Sequence, residues 1–317
     1  MSRSHHHSKR WWLNWIGWGL ASACLAIFLF TFDVRLALVQ IARAKPVWIA
    51  VAVGANFLLM PLLTEQWSRL LPPTRRIPWS VLWECVTLSI AAMNTLPFGT
   101  GHAVAVGVVA KKGGAGLQGA VSLLALEQLC EGVAKLALLG AALAVAPLPD
   151  PLRRATWILA GFLAAAAGLL LWLAYRPHHG SSPRFARLVR NLVILKQPGP
   201  FALAVALSLV MKVGELAAIV AAQQSLGIDL PLSTAPVVLA VVTFASLVSV
   251  TPGNLGIYEA AAVGIYKILG VPPEDALALG LVQHSCFLLP IVGTGYVMTV
   301  WRSIGPRSPD VARSSSR

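Results

Sequence analysis

The sequence predicts an all-α polytopic membrane protein that forms one integral membrane domain over residues 1–317. Two observations lead to this prediction. The chain is 57% hydrophobic and only 12% charged, a balance that differs strongly from that of soluble domains. Its apolar residues are also gathered in segments of about 20 residues, the length that a helix needs to cross a bilayer. No polar stretch is long enough to fold as a separate soluble domain.

Six apolar segments are predicted to span the membrane. They cover residues 11–32, 46–68, 117–146, 152–175, 201–225 and 276–301. The first is longer than the apolar core of a cleavable signal peptide, so we expect it to be an uncleaved helix. Four shorter segments form two pairs, 79–93 with 103–110 and 235–250 with 257–269. Counting each pair as one unit, the prediction has eight helical units.

Helix breakers separate the two members of each short pair. The stretch MNTLPFGTGH lies in the first pair and TPGNLG lies in the second. In each, a proline (Pro97 or Pro252) is followed four residues later by a glycine (Gly101 or Gly256). Irregular backbone at membrane depth needs hydrogen-bond partners from protein or water. We therefore expect two re-entrant hairpins whose tips meet near the midplane and line a cavity; the alternative is a pair of proline kinks that only shape helix packing.

The two halves of the chain resemble each other. Each short pair is followed by a glycine (Gly114 or Gly270) and then by a long apolar helix. In these long helices, Gln283 and His284 occupy positions similar to those of Glu127 and Gln128. The spacing predicts two repeats, residues 1–148 and 149–317.

The basic residues predict how these repeats are oriented. If both hairpins re-enter, 17 of the 25 lysines and arginines lie on the side that holds both termini, and 5 lie on the other side. The positive-inside rule makes the first side cytoplasmic. The hairpins then enter from opposite sides, as in the inverted repeats of many transporters. We expect a protein of the cytoplasmic (inner) membrane with both termini in the cytoplasm.

The net charge of +13 does not indicate a nucleic-acid-binding protein, because the basic residues lie in short loops between apolar segments. There they act as orientation signals and favour anionic lipids. The four cysteines, Cys24, Cys85, Cys130 and Cys286, lie in apolar segments without CxxC spacing. We predict buried, inert thiols, no metal site and no cofactor.

Charged residues inside apolar segments indicate a site, because each costs about 2.5–3.5 kcal/mol or more at mid-bilayer unless it is paired or hydrated. Glu127, Glu131 and Lys135 follow one another at i, i+4 and i+8 and share a helix face; Lys212 and Glu215 are spaced i, i+3. These residues either line a substrate or proton pathway or brace the helices internally. The predicted substrate-binding and translocation residues are Asn94, Pro97, Gly101, His102, Glu127, Glu131, Lys135, Lys212, Glu215, Pro252, Gly253, Gly256 and Glu259.

Two of these motifs resemble a known family. N-x-L-P-x-x-x-G at residues 94–101 and P-G-x-L-G-x-x-E-A at residues 252–260, with Glu127 on the helix between them, resemble the lysylphosphatidylglycerol synthase transmembrane family. The resemblance covers about residues 11–301 and implies an integral inner-membrane protein that handles lipid. In bifunctional relatives, a separate soluble domain makes the lipid and the membrane domain moves it. Because this sequence carries only the membrane part, we expect a transporter and no catalytic residues.

The sequence departs from that family at two places. Relatives often carry an acidic residue after the first motif's glycine, where this chain has His102. Their long helix often reads E-R-x-x-D, whereas this chain has Gln128 in place of the arginine. This loss weakens the case for an anionic head group unless Lys135 or Lys212 substitutes. The expected lipid is therefore an anionic phospholipid or a polyprenyl- or hopanoid-type lipid.

Three functions remain open at this point. The first is a lipid flippase or lipid-binding transporter, and the second is an ion-coupled transporter of a small solute. The third is an accessory subunit of a separately encoded lipid- or glycan-modifying enzyme. An enzyme is not expected, because the sequence contains no HExxH, GxSxG or Asp-rich prenyl-transferase motif.

Overall fold

A computed structural model describes residues 34–72, 77–97, 100–145, 150–175, 194–195, 197–246 and 251–304, with residues 19 and 22 beyond them. Over these residues the protein is helical, with short 3₁₀ turns at Leu232–Thr234, Pro252–Asn254 and residues 194–195. The α-helices are α1 (Val34–Ala42), α2 (Pro46–Leu70), α3 (Trp79–Thr95), α4 (Thr100–Lys111), α5 (Gly116–Val145), α6 (Asp150–Tyr175), α7 (Pro198–Ser225), α8 (Ala235–Ala245), α9 (Ile257–Ile268) and α10 (Pro273–Ile304).

Three of these helices are long and apolar enough to cross a membrane: Pro46–Leu70, Pro198–Ser225 and Pro273–Trp301. The first has 25 residues and is about 37 Å long at 1.5 Å per residue, which exceeds the roughly 30 Å of a hydrocarbon core. The chain is thus an integral membrane protein. The predicted segments 117–146 and 152–175 form α5 and α6, and the predicted first span, 11–32, lies outside the described residues.

One predicted loop is helical. Residues 33–45 were expected to connect two spans, but Val34–Ala42 forms α1. The run VRLALVQIA consists mostly of helix-forming and apolar residues, and Ala37 is fully buried in one of the hydrophobic clusters. The turn after α1 is tied to the end of α7, because the amide of Lys45 donates to the carbonyl of Ser225 at 2.8 Å.

The first short pair forms a hairpin. α3 has 17 residues and α4 has 12, so at about 26 and 18 Å neither spans a hydrocarbon core alone. At the tip, Gly101 lies so close to the backbone of Ala92 and Met93 that a Cβ atom would collide with it. At the open end, the Lys112 ammonium pairs with the buried carboxylate of Glu84. Contacts at both ends show that α4 runs back along α3.

The second short pair is broken by left-handed backbone. α8 has 11 residues and α9 has 12, and their apolar residues share one buried cluster. Between them, Gly253, Asn254 and Gly256 have φ values of 60°, 55° and 84°, which a continuing helix excludes. A Cβ atom at Gly253 would lie 3.0 Å from the carbonyl oxygen of Asn94. The two breaker regions therefore contact each other, as the sequence predicted.

The packing of α10 on α3 gives a stability prediction. Gly295 sits against α3, where an added Cβ would collide with the Cβ of Ala91 and lie 2.9 Å from the Thr87 carbonyl oxygen. Gly295→Ala should therefore lower the free energy of unfolding by about 1–3 kcal/mol, measured by thermal unfolding in detergent. Gly293→Ala is the matched control, because no atom lies within 4 Å of its added Cβ. Equal stability of the two variants would contradict this packing.

Candidate functional site

A cavity of about 200 Å³ lies where the two breaker regions meet. Its wall combines side chains from α2, α3, α5, α7, α8, α9, α10 and the Pro252–Asn254 turn. The lining residues are Asn56, Asn94, Glu131, Lys212, Glu215, Ala218, Ile219, Leu239, Val242, Thr243, Ser246, Gly253, Asn254, Tyr258, Gln283, His284 and Phe287.

A chain of alternating charges forms one side of this cavity. The Nζ atom of Lys212 lies 2.6 Å from Glu215 Oε1 and 3.1 Å from Glu131 Oε1. The Nζ atom of Lys135 lies 2.8 Å from the same Glu131 oxygen. Lys212 is only 5% exposed, and burying its charge is tolerable because two carboxylates compensate it. The ion pairs also join α5 to α7. The same side chains therefore contribute to the cavity wall and hold these two helices together.

A second polar group fixes the start of α9. One carboxylate oxygen of Glu259 accepts the Gly256 backbone N–H at 2.6 Å, and the other lies 2.6 Å from His284 Nδ1. The first bond satisfies a backbone donor that the helix itself leaves unpaired. The Tyr258 ring stacks on the His284 ring with centroids 4.1 Å apart. The Glu259 side chain therefore lies behind the cavity wall, whereas His284 and Tyr258 line the cavity.

Amide side chains provide most of the remaining polar lining. Asn56 donates to two backbone carbonyls at 3.0 and 3.1 Å, and Asn94 donates to the Ile90 carbonyl at 2.9 Å. The Oδ1 atom of Asn254 is buried, and no donor among the described residues reaches it. Gln283 accepts from the Tyr266 hydroxyl at 2.8 Å and donates to the Tyr258 hydroxyl at 2.6 Å.

The structure brings together some of the predicted site residues. Five of them line the cavity: Asn94, Glu131, Lys212, Glu215 and Gly253. Lys135, Gly256 and Glu259 each bind to the network around it. The remaining prolines and glycine, Pro97, Gly101 and Pro252, shape the two breaker turns.

Two further predicted residues, His102 and Glu127, belong neither to the cavity wall nor to the contacts and turns just described. The His102 side chain is exposed in the first turn of α4. Glu127 is buried, and its carboxylate accepts the Trp67 indole N–H at 3.2 Å, which connects α5 to α2. His102 was predicted because it follows the first breaker, and Glu127 because it lies four residues before Glu131 on the same helix. Position along the chain does not fix the direction in which a side chain points.

The sequence analysis omitted several residues of the wall. Asn254 belongs to the TPGNLG breaker itself, and its left-handed φ is one that asparagine adopts more readily than most residues. Asn56 is an amide within the apolar run that begins α2, and a polar side chain at that depth could have indicated a site. Gln283 and His284 were matched to the first repeat but were not counted as site residues. No sequence feature singled out Tyr258.

No group of three or more His, Cys, Asp or Glu side chains that could hold a metal ion occurs in the part of the chain that the structure describes. The buried cysteines Cys85, Cys130 and Cys286 are free thiols in separate positions.

A protein-family model matches this chain. The model of the lysylphosphatidylglycerol synthase TM region matches residues 14–295, nearly the whole chain. No curated protein and no solved structure matches the sequence.

The charge cluster predicts the stability of two variants. Lys212→Met leaves Glu215 without a cation, whereas Glu131 keeps Lys135. The single variant should lose about 3 kcal/mol of unfolding free energy, since an uncompensated charge stays partly buried. Lys212→Met combined with Glu215→Gln should recover most of that loss. Thermal unfolding in detergent measures both, and a double variant no more stable than the single one would contradict the assigned pairing.

Proposed function

We propose that this chain, which belongs to the lysylphosphatidylglycerol synthase transmembrane family, binds the head group of a membrane lipid in its central cavity and moves that lipid between the leaflets. One observation carries the proposal. The polar cavity adjoins an apolar groove between helices and shares three lining residues with it, an arrangement that suits a molecule with one polar and one apolar end.

The groove lies between α5, α6, α7 and α8. It shares Lys212, Leu239 and Thr243 with the cavity. Its other residues are apolar except for Lys135: Leu138, Leu139, Leu163, Pro236, Ala240 and Phe244. Phe244 is 55% exposed, so the groove reaches the surface that faces lipid. An acyl chain in this groove would place its head group beside Lys212.

The size of the cavity agrees with a head group in the cavity and acyl chains in the groove. At about 200 Å³ it is smaller than the roughly 300–1,000 Å³ that drug-sized ligands occupy. A head group fits, and a whole lipid does not. The acyl chains would remain in the groove and in the bilayer, where their transfer costs little free energy.

The proposed topology has six spanning helices and two re-entrant hairpins in the cytoplasmic membrane, with both termini in the cytoplasm. The order of elements supports it. In each half, a short helix pair is followed by a glycine with positive φ (Gly114 at 63°, Gly270 at 86°) and a long helix. We propose that residues 1–148 and 149–317 are inverted repeats, and that one hairpin moves against the other to open the cavity to alternate sides.

The protein would act as a transporter and not as an enzyme, and a separately encoded enzyme would supply or modify its lipid. Its family takes its name from the synthesis of lysylphosphatidylglycerol, and this chain's contribution would be the movement of a lipid once it is made.

A second candidate function is proton-coupled transport of a small polar solute. The buried pair of His284 and Glu259 at the wall favours it, because histidine is the side chain best suited to take up and release a proton near neutral pH. The two functions differ in what drives transport. Strict dependence on a pH gradient, lost in His284→Gln, together with no lipid selectivity, would favour the solute transporter.

Filling the junction between cavity and groove tests the lipid proposal. Thr243→Trp places a large ring at a residue shared by both. We expect translocation of a fluorescent lipid in reconstituted vesicles to fall to the rate of protein-free vesicles. In this assay, only labelled lipid in the outer leaflet is bleached. The loss of fluorescence therefore measures how fast lipid from the inner leaflet reaches the outer leaflet.

Val213→Trp is the matched control for added bulk. Val213 is next to Lys212 in the sequence but is 63% exposed, so the same ring should point away from the cavity and leave the rate unchanged. A wild-type rate in Thr243→Trp, from protein that elutes as a single folded species, would refute the cavity as the lipid pathway.

A further inference from the structure

We propose that the cavity selects an uncharged head group rich in hydroxyl groups, such as a glycosyl or polyol group, over an anionic or a cationic one. This inference rests on the proposed function and names the class of lipid that the site would take. It follows from three features of the wall: its charge balance, the occupied start of α9 and its free hydrogen-bond acceptors.

The charges around the cavity compensate each other. Lys135, Glu131, Lys212 and Glu215 form one continuous chain of ion pairs with two positive and two negative members. The remaining pair is His284 and Glu259, whose formal charge is zero or −1 in the two protonation states of the histidine. The lining therefore carries no net positive charge. An anionic head group would have to compete with two carboxylates for the Lys212 ammonium.

The start of α9 would otherwise be the natural place for a phosphate. Backbone N–H groups and the helix dipole favour an anion at such a position. In this protein the Glu259 carboxylate already lies there and accepts the Gly256 N–H at 2.6 Å. A phosphate would meet a like charge at the position that best suits it.

The wall leaves hydrogen-bond acceptors free for a ligand. Both N–H groups of the Asn56 amide are used on backbone carbonyls, so only its Oδ1 atom remains for a ligand. The Asn254 Oδ1 atom accepts from no donor among the described residues. Two of the three N–H groups of Lys212 are also committed, to Glu131 and Glu215. The cavity therefore suits a ligand that donates hydrogen bonds.

Hydroxyl groups and ammonium groups both donate hydrogen bonds, and charge separates them. Each carboxylate of the cluster is already paired with a lysine: Glu131 with Lys135 and Lys212, and Glu215 with Lys212. A cationic head group would displace a lysine and leave it buried without a partner. Hydroxyl groups supply donors without adding a charge to a compensated site. A volume of about 200 Å³ equals that of roughly seven liquid water molecules, enough for one small polar group.

Three lipids with identical acyl chains test this selectivity. Monoglucosyl diacylglycerol is uncharged, phosphatidylglycerol is anionic and lysylphosphatidylglycerol is cationic. Equal amounts would be offered to the detergent-solubilised protein, and native mass spectrometry would compare the bound fractions. We expect the glucosyl lipid to be preferred by about tenfold or more, which corresponds to 1.4 kcal/mol.

Two variants connect any preference to the cavity. Asn254→Gly removes the unpaired acceptor but keeps the left-handed backbone, since glycine adopts a φ of 55° without strain. It should weaken binding of the glucosyl lipid by roughly two- to tenfold. Glu215→Gln removes one carboxylate from Lys212 and should shift the preference toward phosphatidylglycerol by roughly tenfold. Glu65→Gln is the matched control, because Glu65 pairs with Arg69 in a partly exposed position and does not line the cavity.

Each outcome has a distinct meaning. Preference for the glucosyl lipid, changed by Asn254→Gly and Glu215→Gln but not by Glu65→Gln, supports the inference. Preference for either charged lipid overturns it but leaves the lipid-binding function in place. If none of the three lipids binds above the level seen with a soluble control protein, both the inference and the proposed function fail. A preference that Glu65→Gln shifts as much as Glu215→Gln also overturns the inference.

Discussion

The backbone of a helix that ends inside a membrane protein must find hydrogen-bond partners that lipid does not supply. This constraint determines the centre of the molecule. At the second breaker, Glu259 accepts the Gly256 N–H, and the Thr251 hydroxyl donates to the Leu255 carbonyl at 2.8 Å. At the first, the Thr100 hydroxyl donates to the Pro97 carbonyl at 2.6 Å. These polar residues satisfy the broken helix ends beside the place where the two breakers meet, and the cavity lies there.

The cavity lies between ion-paired helices and the two hairpin tips, and the proposed transport requires only the tips to move. The ion pairs of Glu131, Lys212 and Glu215 connect α5 and α7, which belong to neither hairpin. The tips of the hairpins meet through a close backbone contact, where a Cβ at Gly253 would lie only 3.0 Å from the Asn94 carbonyl oxygen. Separation of the tips would break that contact and leave the ion pairs intact. A lipid head group could then pass the tips while Lys212 stays neutralised.

Much of this arrangement could be predicted from the sequence. Apolar segments located the helices that cover 46–70, 116–145, 150–175 and 198–225, because segment length and composition depend only on the bilayer. Paired breakers predicted that two short hairpins meet. The i, i+4 spacing of Glu131 and Lys135 and the i, i+3 spacing of Lys212 and Glu215 predicted pairs that the structure contains.

What could not be predicted depends on rotation and on partners distant in sequence. Residues four apart on a helix are offset by about 40°, so Glu127 and Lys135 differ by about 80° around α5 although they share a broad face. Glu127 therefore reaches Trp67 of α2, whereas Lys135 reaches the groove beside α8. Asn56 and His284 join the wall because α2 and α10 pack together, and no local pattern encodes that packing. The helix α1 was missed because a short apolar run between two spans gives no periodic signal of its own.

We propose that a lipid occupies this cavity with its head group between the hairpin tips and its tail in the apolar groove. An electron cryomicroscopy structure of the protein in nanodiscs made from its native lipids tests this most directly. We expect head-group density within hydrogen-bond distance of Asn254 and Lys212, and tail density that runs from the cavity to the lipid between α5 and α8. A cavity filled by rearranged side chains, with lipid density confined to the outer surface of the helices, would contradict it.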